Sequence, residues 1–86
     1  MIDLISKMAI STDAVWNGKD LVVSGNKIAK CTNIIDKYKI YTDKKLGEKK
    51  KANTYIVDAK TGEVRLNNLS CGNRKIAKLL RLELKK

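Results

Sequence analysis

Hydrophobic positions alternate with polar ones through most of this chain, and turn residues interrupt them at short intervals, the pattern of strands joined by hairpins. Asn17-Gly18 is the first such interruption, a pair favoured in two-residue hairpin turns because both residues tolerate positive φ. A turn centred there sets Trp16 opposite Lys19, Ala14 opposite Leu21 and Thr12 opposite Val23. Leu21 to Ser24 then reads as a short strand, Gly25-Asn26 as a second turn of the same kind, and Lys27 to Ile35 as the next strand. The first half is therefore expected to be a three-stranded meander.

Lys37 to Thr42 alternates lysines with Tyr38, Ile40 and Tyr41 and is rich in strand-forming residues. Further on, Asn53 to Asp58 and Glu63 to Asn67 flank Ala59-Lys60-Thr61-Gly62, the length and chemistry of a type I turn ended by glycine. That turn pairs Val57 with Val64 and Tyr55 with Leu66, which places one consistent apolar face on a second hairpin.

The ends carry mixed signals. Ile2, Leu4, Ile5 and Met8 fit one face of a short helix or part of a first strand. From Asn73 to Lys86, helical spacing gathers Ile76, Leu79, Leu80 and Leu84 on one face and Arg74, Lys78, Arg81 and Lys85 on another. Asn73 is a suitable cap, and the final lysines suit the negative end of the helix dipole. Against this, Leu80, Leu82 and Leu84 alternate with Arg81, Glu83 and Lys85 as in a strand. Length and propensity favour the helix, with a C-terminal strand as the alternative. The expected fold is mainly β (α+β): a small barrel or curved antiparallel sheet of five to six short strands with a C-terminal helix. Residues 1–86 are expected to form a single domain, because a chain of this length has no room for two independently folded units.

Charge changes the picture more than composition does. Hydrophobic residues make up 43% of the chain, too many for a disordered tail, but the net charge is +10, from 19 basic and 9 acidic residues. Residues 1–43 carry a net +1, the segment 44–51 a net +4, residues 52–72 none, and residues 73–86 a net +5. The positive charge thus sits in two short segments attached to a nearly neutral body. Such a balance speaks about partners rather than fold, and it favours nucleic acid, an anionic membrane surface or an acidic protein.

The expected function is non-enzymatic nucleic-acid binding, RNA ahead of DNA, with the phosphate backbone gripped by two sets of cations. Lys44, Lys45, Lys49, Lys50 and Lys51 form the first set, and Arg74, Lys75, Lys78, Arg81 and Lys85 the second. Tyr38 and Tyr41, interleaved with Lys37 and Lys39, are candidate stacking platforms for unpaired bases, although they alternate and so point to opposite faces of a strand. RNA is placed first because a β-rich chain with aromatic residues and no helix-turn-helix pattern fits single-stranded ligands better. Sixteen of the basic residues are Lys and only three Arg, which weighs against base-specific reading. On this reading, charge changes within residues 1–43 should matter little.

The bland reading of the same charge is a solvated loop and a solvated helix face. A different functional reading is a small protein-interaction module or inhibitor of viral, phage or other mobile-element type. It would act on an acidic or nucleic-acid-binding partner, and the Lys-, Ile- and Asn-rich composition of AT-rich coding motivates it. Binding of the C-terminal segment to an anionic membrane is weaker, since that segment has no Trp or Phe anchor.

Catalytic and metal-binding groups are sparse. There is no His, and Cys31 and Cys71 stand forty positions apart, so neither a cofactor nor a metal is expected and the two thiols are expected to be reduced. Asp58-Ala59-Lys60 has the acid-x-Lys spacing of some nucleases but lies in a turn without an acidic partner upstream. The apolar run from Met1 to Ile10 is broken by Asp3, Ser6 and Lys7 and has no basic leader, so the expected location is cytoplasmic.

Overall fold

The computed structural model describes residue 5 and residues 7–43, 53–67 and 73–84. Seven strands, β1 (Ala9–Ile10), β2 (Ala14–Trp16), β3 (Leu21–Val23), β4 (Lys27–Ile35), β5 (Tyr38–Asp43), β6 (Asn53–Asp58) and β7 (Val64–Leu66), precede one helix, α1 (Asn73–Leu84). The strands form one antiparallel sheet in the order β1-β7-β6-β5-β4-β3-β2. The protein is mainly β, as the alternation predicts, with seven strands against the five to six expected.

The extra strand comes from the segment 9–16, which is not one strand but two. β1 pairs with β7 at one end of the sheet and β2 with β3 at the other, yet only Ser11, Thr12 and Asp13 separate them. The Ser11 N–H donates to the Val64 carbonyl at 3.1 Å, and the Asp13 carbonyl accepts from Ser24 N–H at 2.6 Å. Four residues reach at most about 14 Å, so the two sheet ends must curl toward each other into a half-barrel. A two-residue strand carries no period, which is why the alternation does not reveal β1.

Curling creates an inside and an outside, and each has its own core. Ala14, Leu21, Val23, Ala29, Tyr41, Tyr55, Val57 and Val64 pack inside the curl, with Trp16 and Leu66 at its margin. Outside it, Ile35, Tyr38, Ile40 and Ile56 meet Ile76, Ala77 and Leu80 of α1, with Met8 and Ile5 beside them. Ile76 and Leu80 are fully buried while Leu82 is 53% exposed, so the helical spacing, not the Leu80-Leu82-Leu84 alternation, decides the C-terminal segment.

A bulge in β4 lets one strand serve both cores. Cys31 pairs with Tyr41 but Asn33 pairs with Ile40, leaving Thr32 as the extra residue. Ala29 therefore faces inside and Ile35 faces the helix, although both are odd-numbered and an unbroken strand would place them on one face. The Thr32 hydroxyl sits 3.3 Å from the Ile40 carbonyl and 3.1 Å from the Thr42 hydroxyl, which ties the bulge to β5.

Turn positions depart from expectation by single residues. The first hairpin pairs Ala14 with Val23 and Trp16 with Leu21, two residues off the expected register. Asn17 does not occupy a central turn position. Its Oδ1 accepts from the N–H groups of Lys19 at 3.0 Å and Asp20 at 2.7 Å, and Gly18 takes the positive φ of 93°. An Asn side chain that completes the turn itself displaces the bend one residue onward. The next turn moves the other way, with positive φ at Ser24 and Gly25 rather than Gly25 and Asn26. The β6–β7 hairpin has the expected register, Tyr55 to Leu66 and Val57 to Val64, with Gly62 at φ 78°.

Candidate nucleic-acid interface

Because Ile76, Ala77 and Leu80 fix one side of α1 to the sheet, Arg74, Lys75, Lys78 and Arg81 are all exposed on the remainder of its surface. Leu79 and Leu82 lie among them, 38% and 53% exposed. The first turn of α1 holds no acidic residue but contains Arg74 and Lys75. Cations at a helix N-terminus oppose the macrodipole and cost about 0.3–1 kcal/mol each, so this placement does not serve helix stability.

On the sheet, part of the charge is paired. Lys27 meets Asp43 at 2.5 Å, Lys37 meets Asp58 at 3.8 Å and Arg65 meets Glu63 at 2.8 Å. These are the ion pairs among the described residues, and none includes a cation of α1. Lys7, Lys19, Lys30 and Lys60 also stand outside these pairs, but acidic residues are interspersed among them, whereas the described side chains of α1 include four cations and no acid. Lys44, Lys45, Lys49, Lys50, Lys51 and Lys85 lie outside the described residues.

Tyr38 and Tyr41 are not on this surface, which corrects their assignment as stacking platforms. They are 8% and 4% exposed, Tyr38 packing under α1 and Tyr41 inside the curl. The reason is the place of β5. The curl encloses one of its faces and α1 packs on the other, so alternation offers neither tyrosine to solvent. Burial, reinforced by the nearby Cys31 and Asp20, raises the Tyr41 phenol above its ordinary pKa of 10.0. Burial and the Asp43 carboxylate raise that of Tyr55 in the same way.

Trp16 closes the rim of the curl. Its ring lies 6.0 Å from that of Tyr41, tilted by 56°, and the Lys39 ammonium sits 4.6 Å from its centroid. The turn at Gly62 runs beside it so closely that a Cβ on Gly62 would meet Trp16 Cδ1 at 3.1 Å. Lys39 is thereby engaged with the fold itself.

One surface feature has no counterpart in the sequence reading. Lys27, Ile28, Lys30, Thr32, Thr42 and Asp43 line an open cleft of about 320 Å³ at the end of β4 and β5. Strand alternation gives these positions no common role. Only the bulge at Thr32 and the pairing of Lys30 with Thr42 bring them around one depression.

Among the described residues there is no group of three or more metal-ligating side chains, and no helix is long and apolar enough to cross a membrane. Cys31 is an exposed free thiol, and Cys71 lies outside the described residues. Comparison with family models, curated proteins and solved structures gives no match to this chain.

Proposed function

We propose that this protein is a non-enzymatic nucleic-acid-binding domain that holds the phosphate backbone through α1 and the lysine segment 44–51, with RNA ahead of DNA. The observation that carries the reading is the uncompensated helix face. Arg74, Lys75, Lys78 and Arg81 are exposed together, outside every ion pair of the described residues, on a domain whose sheet pairs part of its charge and intersperses the rest with acidic residues. Two of them stand where the helix dipole penalises them, and a bound phosphate would relieve that repulsion. With Tyr38 and Tyr41 buried, preference for RNA rests on the β-rich architecture and no longer on stacking by these rings.

The test is titration of a labelled single-stranded RNA across a series of salt concentrations. Each phosphate contact contributes about 0.7 to the slope of log affinity against log salt. Replacing Arg74, Lys75, Lys78 and Arg81 by Gln should lower that slope by up to ~2.8 if all four reach phosphates. Absence of salt-sensitive binding in the unmodified protein overturns the proposal.

Leu79 and Leu82 favour a second reading. Exposed leucines gain nothing from a phosphate backbone, but they suit an acidic protein partner with an apolar contact. Recovery of one stoichiometric protein after nuclease treatment, lost in a Leu79→Ser, Leu82→Ser variant, would decide for that reading.

A further inference from the structure

We propose that the cleft at the end of β4 and β5 seats one unpaired nucleotide, so that the domain prefers single strands to duplex. The proposal rests on the nucleic-acid reading above and adds a site that reading does not contain. It also departs from the expectation that charges in residues 1–43 are unimportant, because Lys30 is one of them.

The lining supplies the distinct chemistries that a nucleotide presents. Ile28, 60% exposed, gives an apolar wall for the face of a base. Lys30 is exposed, stands outside the ion pairs of the described residues and supplies a cation for a phosphate. The hydroxyls of Thr32 and Thr42, 3.1 Å apart, bring polar atoms to the same depression. Lys27, held by Asp43, contributes donors without adding net charge. A volume of about 320 Å³ lies at the lower end of the range for small-ligand sites, the scale of a single nucleotide rather than of a duplex groove.

Position supports the same ligand. Thr42 and Asp43 are the last residues before Lys44, so a strand held by the lysines of 44–51 has a nucleotide-sized cleft at the root of that segment. The apolar wall also has a reason to exist on this reading. Val15, Val22 and Ile28 stand opposite one another across β2, β3 and β4, and Val15 and Ile28 are about 60% exposed. An unpaired base can lie on such a row, whereas paired bases cannot reach it.

Affinity should be measured for an oligouridine single strand and for an RNA duplex of the same length, with the unmodified protein and with Ile28→Ser and Lys30→Gln. Both side chains are exposed, and circular dichroism will confirm that the variants fold. The single strand should bind more tightly than the duplex. Ile28→Ser should weaken single-strand binding about fivefold, at the low end for contact with a base face, and leave duplex binding and the salt slope unchanged. Lys30→Gln should weaken it and lower the salt slope by ~0.7. In addition, uridine monophosphate should shift the amide resonances of Ile28, Thr32 and Thr42. Equal affinity for both RNAs, with no effect of Ile28→Ser, overturns the cleft while leaving the helix proposal standing. Loss of all salt-sensitive binding in the unmodified protein overturns both.

Discussion

Replacing Gly62 by Ala tests how the half-barrel is held closed. Gly62, Gly18 and Gly25 all lie at positive φ, 78°, 93° and 79°, where an L-residue with a Cβ costs roughly 1–2 kcal/mol. Their surroundings differ. A Cβ at Gly18 or Gly25 meets nothing within 4 Å, but at Gly62 it lies 3.1 Å from Trp16 Cδ1. The indole is hemmed in by Tyr41 and Lys39, so it can retreat only by loosening the seam between the first hairpin and the β6–β7 turn. Overpacking of this kind adds about 1–3 kcal/mol. Gly62→Ala should therefore cost about 2–5 kcal/mol, against about 1–2 kcal/mol for Gly18→Ala or Gly25→Ala. Urea unfolding followed by the fluorescence of Trp16, the single tryptophan, measures all three. In a Trp16→Leu background, followed by circular dichroism, the Gly62→Ala penalty should fall to that of the other two glycines. Equal penalties for the three glycines in the native background would show that the indole does not fasten the seam.

Two further outcomes follow from the core. Deleting Thr32 removes the bulge and forces Ala29 and Ile35 onto one face, so one of the two cores loses its β4 contribution. The loss should be about 2–5 kcal/mol in denaturant unfolding, whereas Thr32→Ala, which keeps the register, should cost about 1 kcal/mol. For pH, Tyr41 and Tyr55 have folded pKa values raised above 10.0, so the folded state holds their protons more tightly than the unfolded state. Their contribution is complete below the unfolded value and is lost as pH rises through the folded one. Thermal stability should fall only above about pH 10, together with tyrosinate absorbance, and Tyr41→Phe should reduce that fall.

Much of the fold is legible in the sequence where the physics is local. β4 and β6 have the expected bounds, and the second hairpin has the expected register, because Asp58 and Gly62 carry the turn chemistry themselves. The Asp58 carboxylate accepts from the N–H groups of Lys60 and Thr61, the same device that Asn17 uses in the first hairpin. There it moves the turn, since Asn17 can serve either as a central turn residue or as the residue that braces it. Composition does not choose between these roles. The split of residues 9–16 is not local at all: Ser11 and Asp13 acquire their partners only when the sheet curls.

The candidate site shows the same division between local and non-local information. Helical spacing is sufficient to put Arg74, Lys78 and Arg81 on the outer side of α1, because Ile76 and Leu80 must face a core. Alternation likewise separates Tyr38 from Tyr41 across β5, but exposure depends on what covers each face, and that is decided by the curl of the sheet and by where α1 docks. Both therefore become core, whereas Thr32 and Thr42 meet beside Lys30 in the cleft at the end of β4 and β5. With the tyrosines buried, a base contact on the proposed reading falls to Ile28 and the cleft. Charge placement motivates the proposed polyanion surface, and the curl of the sheet and the docking of α1 determine which side chains beside it are free to touch anything other than phosphate.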